Sequence, residues 1–187
     1  MPDKKPFTFT KLTSQDYKNT RWKNGGGSTF ELYREPKEST LNDFNWRISI
    51  ASICESGEFS IFPGYNRSIL KLQGGNVSLH DVDSKKDTEL DESVPFYFSG
   101  NQKIYATLNG ETVQDFNVFT KTDSLNQNIE VYNFENFGKK YVSIGHWAFM
   151  YCPKGRVKIS NALELAAGES IVIRALDVTN LCLNQSV

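Results

Sequence analysis

Apolar and polar positions alternate with a period of two along most of the chain. The clearest run is Trp46–Leu72, where Trp46, Ile48 and Ile50 alternate with Arg47, Ser49 and Ala51. That is the pattern of a strand with one large apolar face and one small or polar face. Gly57 breaks the run, Phe59 and Ile61 alternate around Ser60, and Pro63-Gly64 is a turn dipeptide. Ile69–Leu72 then begins a third strand that stops at Gly74-Gly75. Shorter strands are expected at Phe7–Thr10, Thr29–Arg34, Phe96–Phe98, Lys103–Leu108 and Asp115–Phe119. Further ones are expected at Glu130–Phe134, Tyr141–Ile144, Ala148–Tyr151, Arg156–Ile159, Ser170–Ile173 and Asn180–Leu183. Thr13–Tyr17 reads as a short capped helical turn, Pro36–Asn45 as a polar loop and Asp81–Glu92 as a charged surface excursion. Thr120–Asn128 is the best linker. No amphipathic helix is predicted. Many short strands at regular spacing point to an all-β sandwich or barrel.

Ile69–Leu79 and Phe149–Ile159 follow one plan of strand, glycine turn and strand. Each is followed by a Glu-Leu pair (Glu89-Leu90, Glu164-Leu165) and then a Glu-Ser pair (Glu92-Ser93, Glu169-Ser170) that opens another strand. Two copies of one jelly-roll unit would produce this, as would chance similarity between hairpins. The expected division is a first barrel over residues 1–122 and a smaller second unit over 123–187, together one compact two-barrel domain.

Composition narrows the classes. A chain of 187 residues can build a real core in one or two small domains. A net charge of -1 gives no electrostatic case for nucleic acid or a membrane surface. The N-terminus, MPDKKPFTFTKL, has lysines without an apolar run after them, so no signal peptide is read there, and no stretch is long enough to span a bilayer. Cys54, Cys152 and Cys182 are odd in number and far apart, which fits buried thiols in a reducing cytosol better than disulfides or zinc.

Arg47 and Arg67 interrupt the apolar region, and a buried arginine needs an acidic partner, from the protein or from a ligand. Trp22-Lys23-Asn24-Gly25-Gly26-Gly27 is a glycine turn. It can offer backbone N–H groups to an anion, or it can simply let a strand bend, with Trp22 as a core plug. It is neither a P-loop nor a dinucleotide fingerprint. His80 and His146 have no neighbouring histidine ligand, so no metal and no cofactor are expected. No nucleophile elbow or reactive-cysteine motif occurs, so no catalytic residue is assigned. Glu31 and Asp115 are carboxylates that would either neutralise the arginines or act as a base.

Trp22–Gly27 with Thr29 and Glu31 resembles the opening motif of the HutD/Ves family. So do Phe44-x-Trp46-Arg47-Ile48-Ser49-Ile50-Ala51, Gly57-x-Phe59-Ser60-x-Phe62-Pro63-Gly64-Tyr65-x-Arg67 and Asp115-Phe116-Asn117. The motifs span Trp22 to Phe119. Phe119 and Lys121 stand where the family pattern has methionine and arginine. The resemblance implies a cupin-superfamily protein of two fused β-barrel units with very little helix. It also implies a regulatory or ligand-binding role, in histidine utilisation or in stress response.

The expected site lies inside the first barrel, since inward strand residues line such a cavity. Arg47 and Arg67 would grip a small carboxylic acid from histidine breakdown. Asp115, Asn117, Ser49 and Ser60 would take its polar groups. Phe62 and Trp22 would wall the pocket, and Lys23, Asn24, Gly25 and Gly26 would rim it. The alternatives are a metal-independent isomerase or hydrolase using Glu31 or Asp115 as base, and a structural or interaction module. A homodimer is left open.

Overall fold

The computed structural model describes residues 7–134, 138–159 and 163–185. Among these the protein is all β, with seventeen strands and no helix. In chain order they begin with β1 (Phe7–Leu12), β2 (Lys18–Arg21), β3 (Gly27–Glu35), β4 (Trp46–Ile53), β5 (Gly57–Glu58) and β6 (Tyr65–Gly74). Then come β7 (Val77–Asp81), β8 (Lys86–Glu89), β9 (Phe96–Ser99), β10 (Ile104–Leu108) and β11 (Val113–Lys121). The last six are β12 (Lys139–Ile144), β13 (Trp147–Tyr151), β14 (Arg156–Ile159), β15 (Leu163–Ala166), β16 (Ser170–Ala175) and β17 (Thr179–Gln185).

The chain divides into two compact units. One is Tyr17–Val131. It holds an antiparallel sheet of order β2-β3-β4-β11-β6-β9 and a second of order β5-β10-β7-β8. The other is built from Tyr132–Val187 with the segment up to Asp16, in sheets of order β1-β16-β13 and β12-β17-β14-β15. Phe7–Leu12, grouped in the sequence with the first barrel, therefore pairs with β16. All ladders are antiparallel, and the architecture is cupin-like.

The sequence repeat has a counterpart in the pairing. In the first unit β6 leads through glycines into β7 of the other sheet. Next β8 pairs with β7, β9 with β6, and β10 with β7. In the second unit β13 leads through Gly155 into β14. Next β15 pairs with β14, β16 with β13, and β17 with β14. The second unit is filled by Ile144, Ile159, Leu165, Ile171, Ile173, Leu181 and Leu183 around Cys152. Each such aliphatic side chain contributes about 1.5–3 kcal/mol on burial. In the first unit a comparable cluster of Ile69, Val77, Leu79, Leu90, Phe98, Ile104, Ala106 and Val113 packs β6, β9 and β11 of one sheet against β7 and β10 of the other.

Several local expectations change. Thr13–Tyr17 is a turn, closed by Asp16 accepting from the Thr13 N–H at 2.8 Å. The carboxylate satisfies the turn itself, so no helix is needed. Asp81–Glu92 contains β8, which pairs with β7 as a hairpin because Asp81 folds the turn, accepting from the N–H groups of Asp83 and Ser84. The stretch after Glu58 leaves the ladder, so Phe59–Ile61 is irregular and not a strand. Glu130–Phe134 is also irregular. Lys18–Arg21 is a further strand that carries no apolar residue, and Leu163–Ala166 is one in which Leu163 and Leu165 alternate with Glu164.

Candidate functional site

β11 lies between β4 and β6, and its register aligns three rungs across the first unit's larger sheet. Phe119 stands opposite Arg47 on one side and Arg67 on the other. Asn117 stands opposite Ser49 and Ile69, and Asp115 opposite Ala51 and Lys71. Residues directly opposite share a face, and alternate residues of a strand do too. One face therefore carries Arg47, Ser49, Asp115, Asn117, Phe119 and Arg67. The next strand on one side adds Glu31, opposite Ser49, and the next on the other adds Phe98, opposite Arg67.

The two arginines have different surroundings. The Arg47 Nε–H donates to Glu31 Oε2 at 2.7 Å, and Arg34 Nε lies 3.5 Å from Glu31 Oε1. Glu31 thus neutralises one guanidinium and is shared with a second. Arg67, 7% exposed, is held among aromatic rings instead. Its Cζ lies 4.5 Å from the Phe119 ring centre, 4.7 Å from Phe98 and 5.5 Å from both Phe59 and Phe62. Its Nη1 donates to the Ser60 carbonyl at 3.1 Å and its Nη2 to Asn117 Oδ1 at 3.4 Å. Its Nε is buried without a hydrogen-bond partner, and no carboxylate among the described residues pairs with it. Burial pulls the Arg67 guanidinium down to about 9, with Asp115 opposing and Arg47 reinforcing that shift. It stays cationic at neutral pH.

Asp115 is 1% exposed. Burial pushes its carboxyl up to about 7, against the attraction of Arg67 and hydrogen bonds from the Asn117 side chain and the Ala51 backbone. The Asn117 Nδ2 donates to Asp115 Oδ1, so this amide is held between carboxyl and guanidinium. Three guanidiniums, Arg34, Arg47 and Arg67, thus face Glu31 and one carboxyl that is only partly ionised at neutral pH. The balance favours an anion.

The other sequence-predicted residues are placed differently. Ser49 is buried in the same rung as Asn117, whereas Ser60 is exposed and meets Arg67 through its carbonyl. Trp22 donates from Nε1 to Thr29 Oγ1 at 2.8 Å, one element away from the arginines. Gly25 takes a positive φ of 80°, and a Cβ on Gly27 would come within 2.3 Å of the Ser52 carbonyl oxygen, so the turn needs both glycines. The N–H of Gly25 donates to Trp22 O and that of Gly26 to Asn24 Oδ1, so both donors are used within the turn. Lys23 and Asn24 are exposed. A cavity of about 30 Å³ lies beside Trp22, Asn24, Gly26, Ile53 and Phe59, room for a single water. Phe59 borders both this cavity and Arg67.

Sequence reasoning missed Arg34, Phe59, Phe98 and Phe119 as neighbours of the arginines. Arg34 carried a signal, three residues from Glu31 near the end of β3. The rings carried none, because strand order is not written in alternation. Among the described residues no cluster of three His, Cys, Asp or Glu is able to hold a metal ion. His80 sits on the β7–β8 hairpin with Nδ1 2.6 Å from Asp87 Oδ1.

A family model described as HutD matches residues 14–186. Protein Ves of Escherichia fergusonii is 39% identical over 133 residues, covering 67% of this chain and 68% of that protein. A 21.2 kDa protein in the hutC 3′ region of Pseudomonas putida is 45% identical over 107 residues, covering 57% of this chain and 55% of that one. Among solved structures, PA5104 from Pseudomonas aeruginosa aligns with a TM-score of 0.74 at 26% identity, covering 95% of this chain and 93% of that chain. HutD from Pseudomonas fluorescens aligns with a TM-score of 0.69 at 25% identity, covering 95% and 94%.

Proposed function

The chain belongs to the HutD family, and on that premise we propose that it is a non-catalytic binding protein for a small carboxylate. The observation that carries this reading is the unfilled edge of Arg67. Nε and Nη2 form the side-on fork of a guanidinium, the edge that matches the two oxygens of a carboxylate. Here Nε has no acceptor and Nη2 has only a bond of 3.4 Å to Asn117. A buried cationic donor left in this state is costly, and a guest carboxylate would complete it. Asn117, Ser49 and Asp115 share the face on which such a guest would rest, and Phe62 flanks it. Arg47 belongs to the structural part of the site, because Glu31 already neutralises it. We include in this reading a regulatory role in the cytoplasm, in histidine utilisation or in stress response, as membership of the HutD family implies.

The test is a thermal-shift screen of small mono- and dicarboxylic acids that includes urocanate and formylglutamate. At least one acid should raise the melting temperature by mass action. The same acid should leave Arg67→Lys unmoved, because an ammonium cannot supply the fork, while that variant still melts cooperatively. No stabilising acid, or an equal response in Arg67→Lys, would overturn the reading.

A second reading rests on Asp115, whose carboxyl near 7 is poised for proton transfer. The protein would then be a metal-independent isomerase or hydrolase with Asp115 as base. Glu31 is unsuited to that role while tied to two guanidiniums. Turnover of the stabilising acid, abolished in Asp115→Asn, would favour this second reading.

A further inference from the structure

Resting on the carboxylate-binding reading, we infer that Asn117 is a polarity relay between Arg67 and Asp115, so that each carboxylate bound brings a proton onto Asp115. The three side chains form one buried row. Arg67 Nη2 donates to Asn117 Oδ1 at 3.4 Å, and Asn117 Nδ2 donates to Asp115 Oδ1. A side-chain amide has one accepting end and one donating end. Here the accepting end faces the cation and the donating end faces the acid. That arrangement suits Asp115 with or without its proton, because Oδ1 accepts in either state.

A guest carboxylate on the Nε and Nη2 edge of Arg67 changes the requirement. One of its oxygens comes to Nη2, where Asn117 Oδ1 already sits, and two acceptors then meet with no hydrogen between them. Turning the amide over puts Nδ2 on the guest and Oδ1 on Asp115. Asn117 Oδ1 then needs a hydrogen from the acid, which only the protonated carboxyl can give. An ionised Asp115 would leave two buried acceptors opposed, a costly arrangement away from water. Charge acts in the same direction. A guest anion beside Arg67 disfavours a second negative charge on Asp115, whatever the total charge of the site.

The other ionic groups around the row have partners of their own. Arg47 donates to Glu31 at 2.7 Å, and Arg34 Nε lies 3.5 Å from the same carboxylate. Lys71, opposite Asp115 on β6, lies 3.9 Å from Glu92. The facing sheet presents Val77, Leu79, Ile104 and Ala106, and its buried Asp81 accepts from Gln102 and from the N–H groups of its hairpin. Asp115, already raised to about 7 by burial, is the group placed to take the proton.

The experiment titrates acetate and propionate into the whole chain by calorimetry between about pH 6 and about pH 8, where both acids are ionised. At about pH 7 the titration is repeated in Bis-Tris and in Tris, two cationic buffers of different ionisation enthalpy. The two heats should differ by the uptake of about half a proton per acid bound, and the dissociation constant should rise about five- to tenfold from pH 6 to pH 8. In infrared difference spectra at about pH 8, acetate should raise the carbonyl band of a protonated carboxyl. Asp115→Asn supplies a permanent donor to Asn117 Oδ1. It should lose the buffer difference, the band and the pH dependence, and bind acetate more tightly than wild type at pH 8. Asn117→Ala, with no amide to turn, should show a shallower pH dependence than wild type. Should Asp115→Asn not fold, the buffer comparison and the band in wild type decide alone. Acids that bind wild type with no buffer difference and no new band overturn the inference and leave the carboxylate reading intact. So does a pH dependence kept in folded Asp115→Asn, or one as steep in Asn117→Ala as in wild type. No response to acetate, propionate or any acid of the screen above removes the carboxylate reading, and this inference with it.

Discussion

Arg67 of β6 and Trp147 of β13 hold equivalent places in the repeat, and each meets a partner of the opposite kind on the adjoining strand. Arg67 stands opposite Phe98, with its Cζ 4.7 Å from the ring centre. Trp147 stands opposite Arg174, whose Cζ lies 5.4 Å from the Trp147 ring. The same rung thus pairs a guanidinium with an aromatic face in both units, with the strands exchanged. The difference is burial. Arg174 is exposed and its donors reach water, whereas Arg67 is sealed among rings with a donor unfilled. Pairing geometry brings cation and ring together; removal of water turns the contact into a demand for an anion.

The interiors differ in the same sense. The described core of the second unit is apolar apart from Ser170, while the first unit buries Arg47, Ser49, Arg67, Asp115 and Asn117 together. The sharpest way to break this comparison is at the apolar side. Ile171→Ala, at a fully buried position, should cost about 2–5 kcal/mol in urea denaturation. Its response to carboxylates should remain that of wild type at temperatures where it is folded. Loss of that response in a still-folded Ile171→Ala protein would mean the second unit is not merely structural.

A smaller, pH-dependent effect sharpens the polar side. The Asp115 carboxyl ionises near 3.8 in the unfolded chain and near 7 when buried. The folded state holds the proton more tightly, so this group favours folding below about pH 4, and that advantage fades as pH rises to about 7. Wild type should therefore lose stability relative to Asp115→Asn across that window and keep a constant offset above it. Denaturation midpoints of the two proteins at a series of pH values would show it; parallel curves would place the carboxyl in a wetter setting than the structure does. The smallest effect is expected at His80, whose contact with Asp87 is exposed. His80→Ala should shift stability by less than about 0.5 kcal/mol and leave carboxylate binding unchanged, by the same two measurements.

Much of the fold was legible because alternation identifies strands and marks their faces. Parity alone puts Arg47 and Ser49 on one face of their strand, and Asp115 and Asn117 on one face of theirs. Arg67 stood out as a cation inside an apolar run. Neighbour relations were not legible. Nothing in residues 113–121 states that β11 inserts between β4 and β6, so Phe119 could not be seen as the ring between two guanidiniums. Glu31 and Arg34 were closer to view, but the register shift between Glu31 and Tyr33 is what turns both toward Arg47. β8 was obscured because Lys86–Glu89 is polar throughout and is held by its hairpin turn, not by an apolar face.

The insertion of β11 also orders events during synthesis. β4 and β6 leave the ribosome well before it, and in the finished sheet they share no ladder with each other. Until Lys121 has emerged, Arg67 has neither Asn117 beside it nor the Phe119 ring against it. The nascent chain must therefore carry that guanidinium in water, and it is drawn into the dry interior only when the strand that supplies most of its polar neighbours is in place.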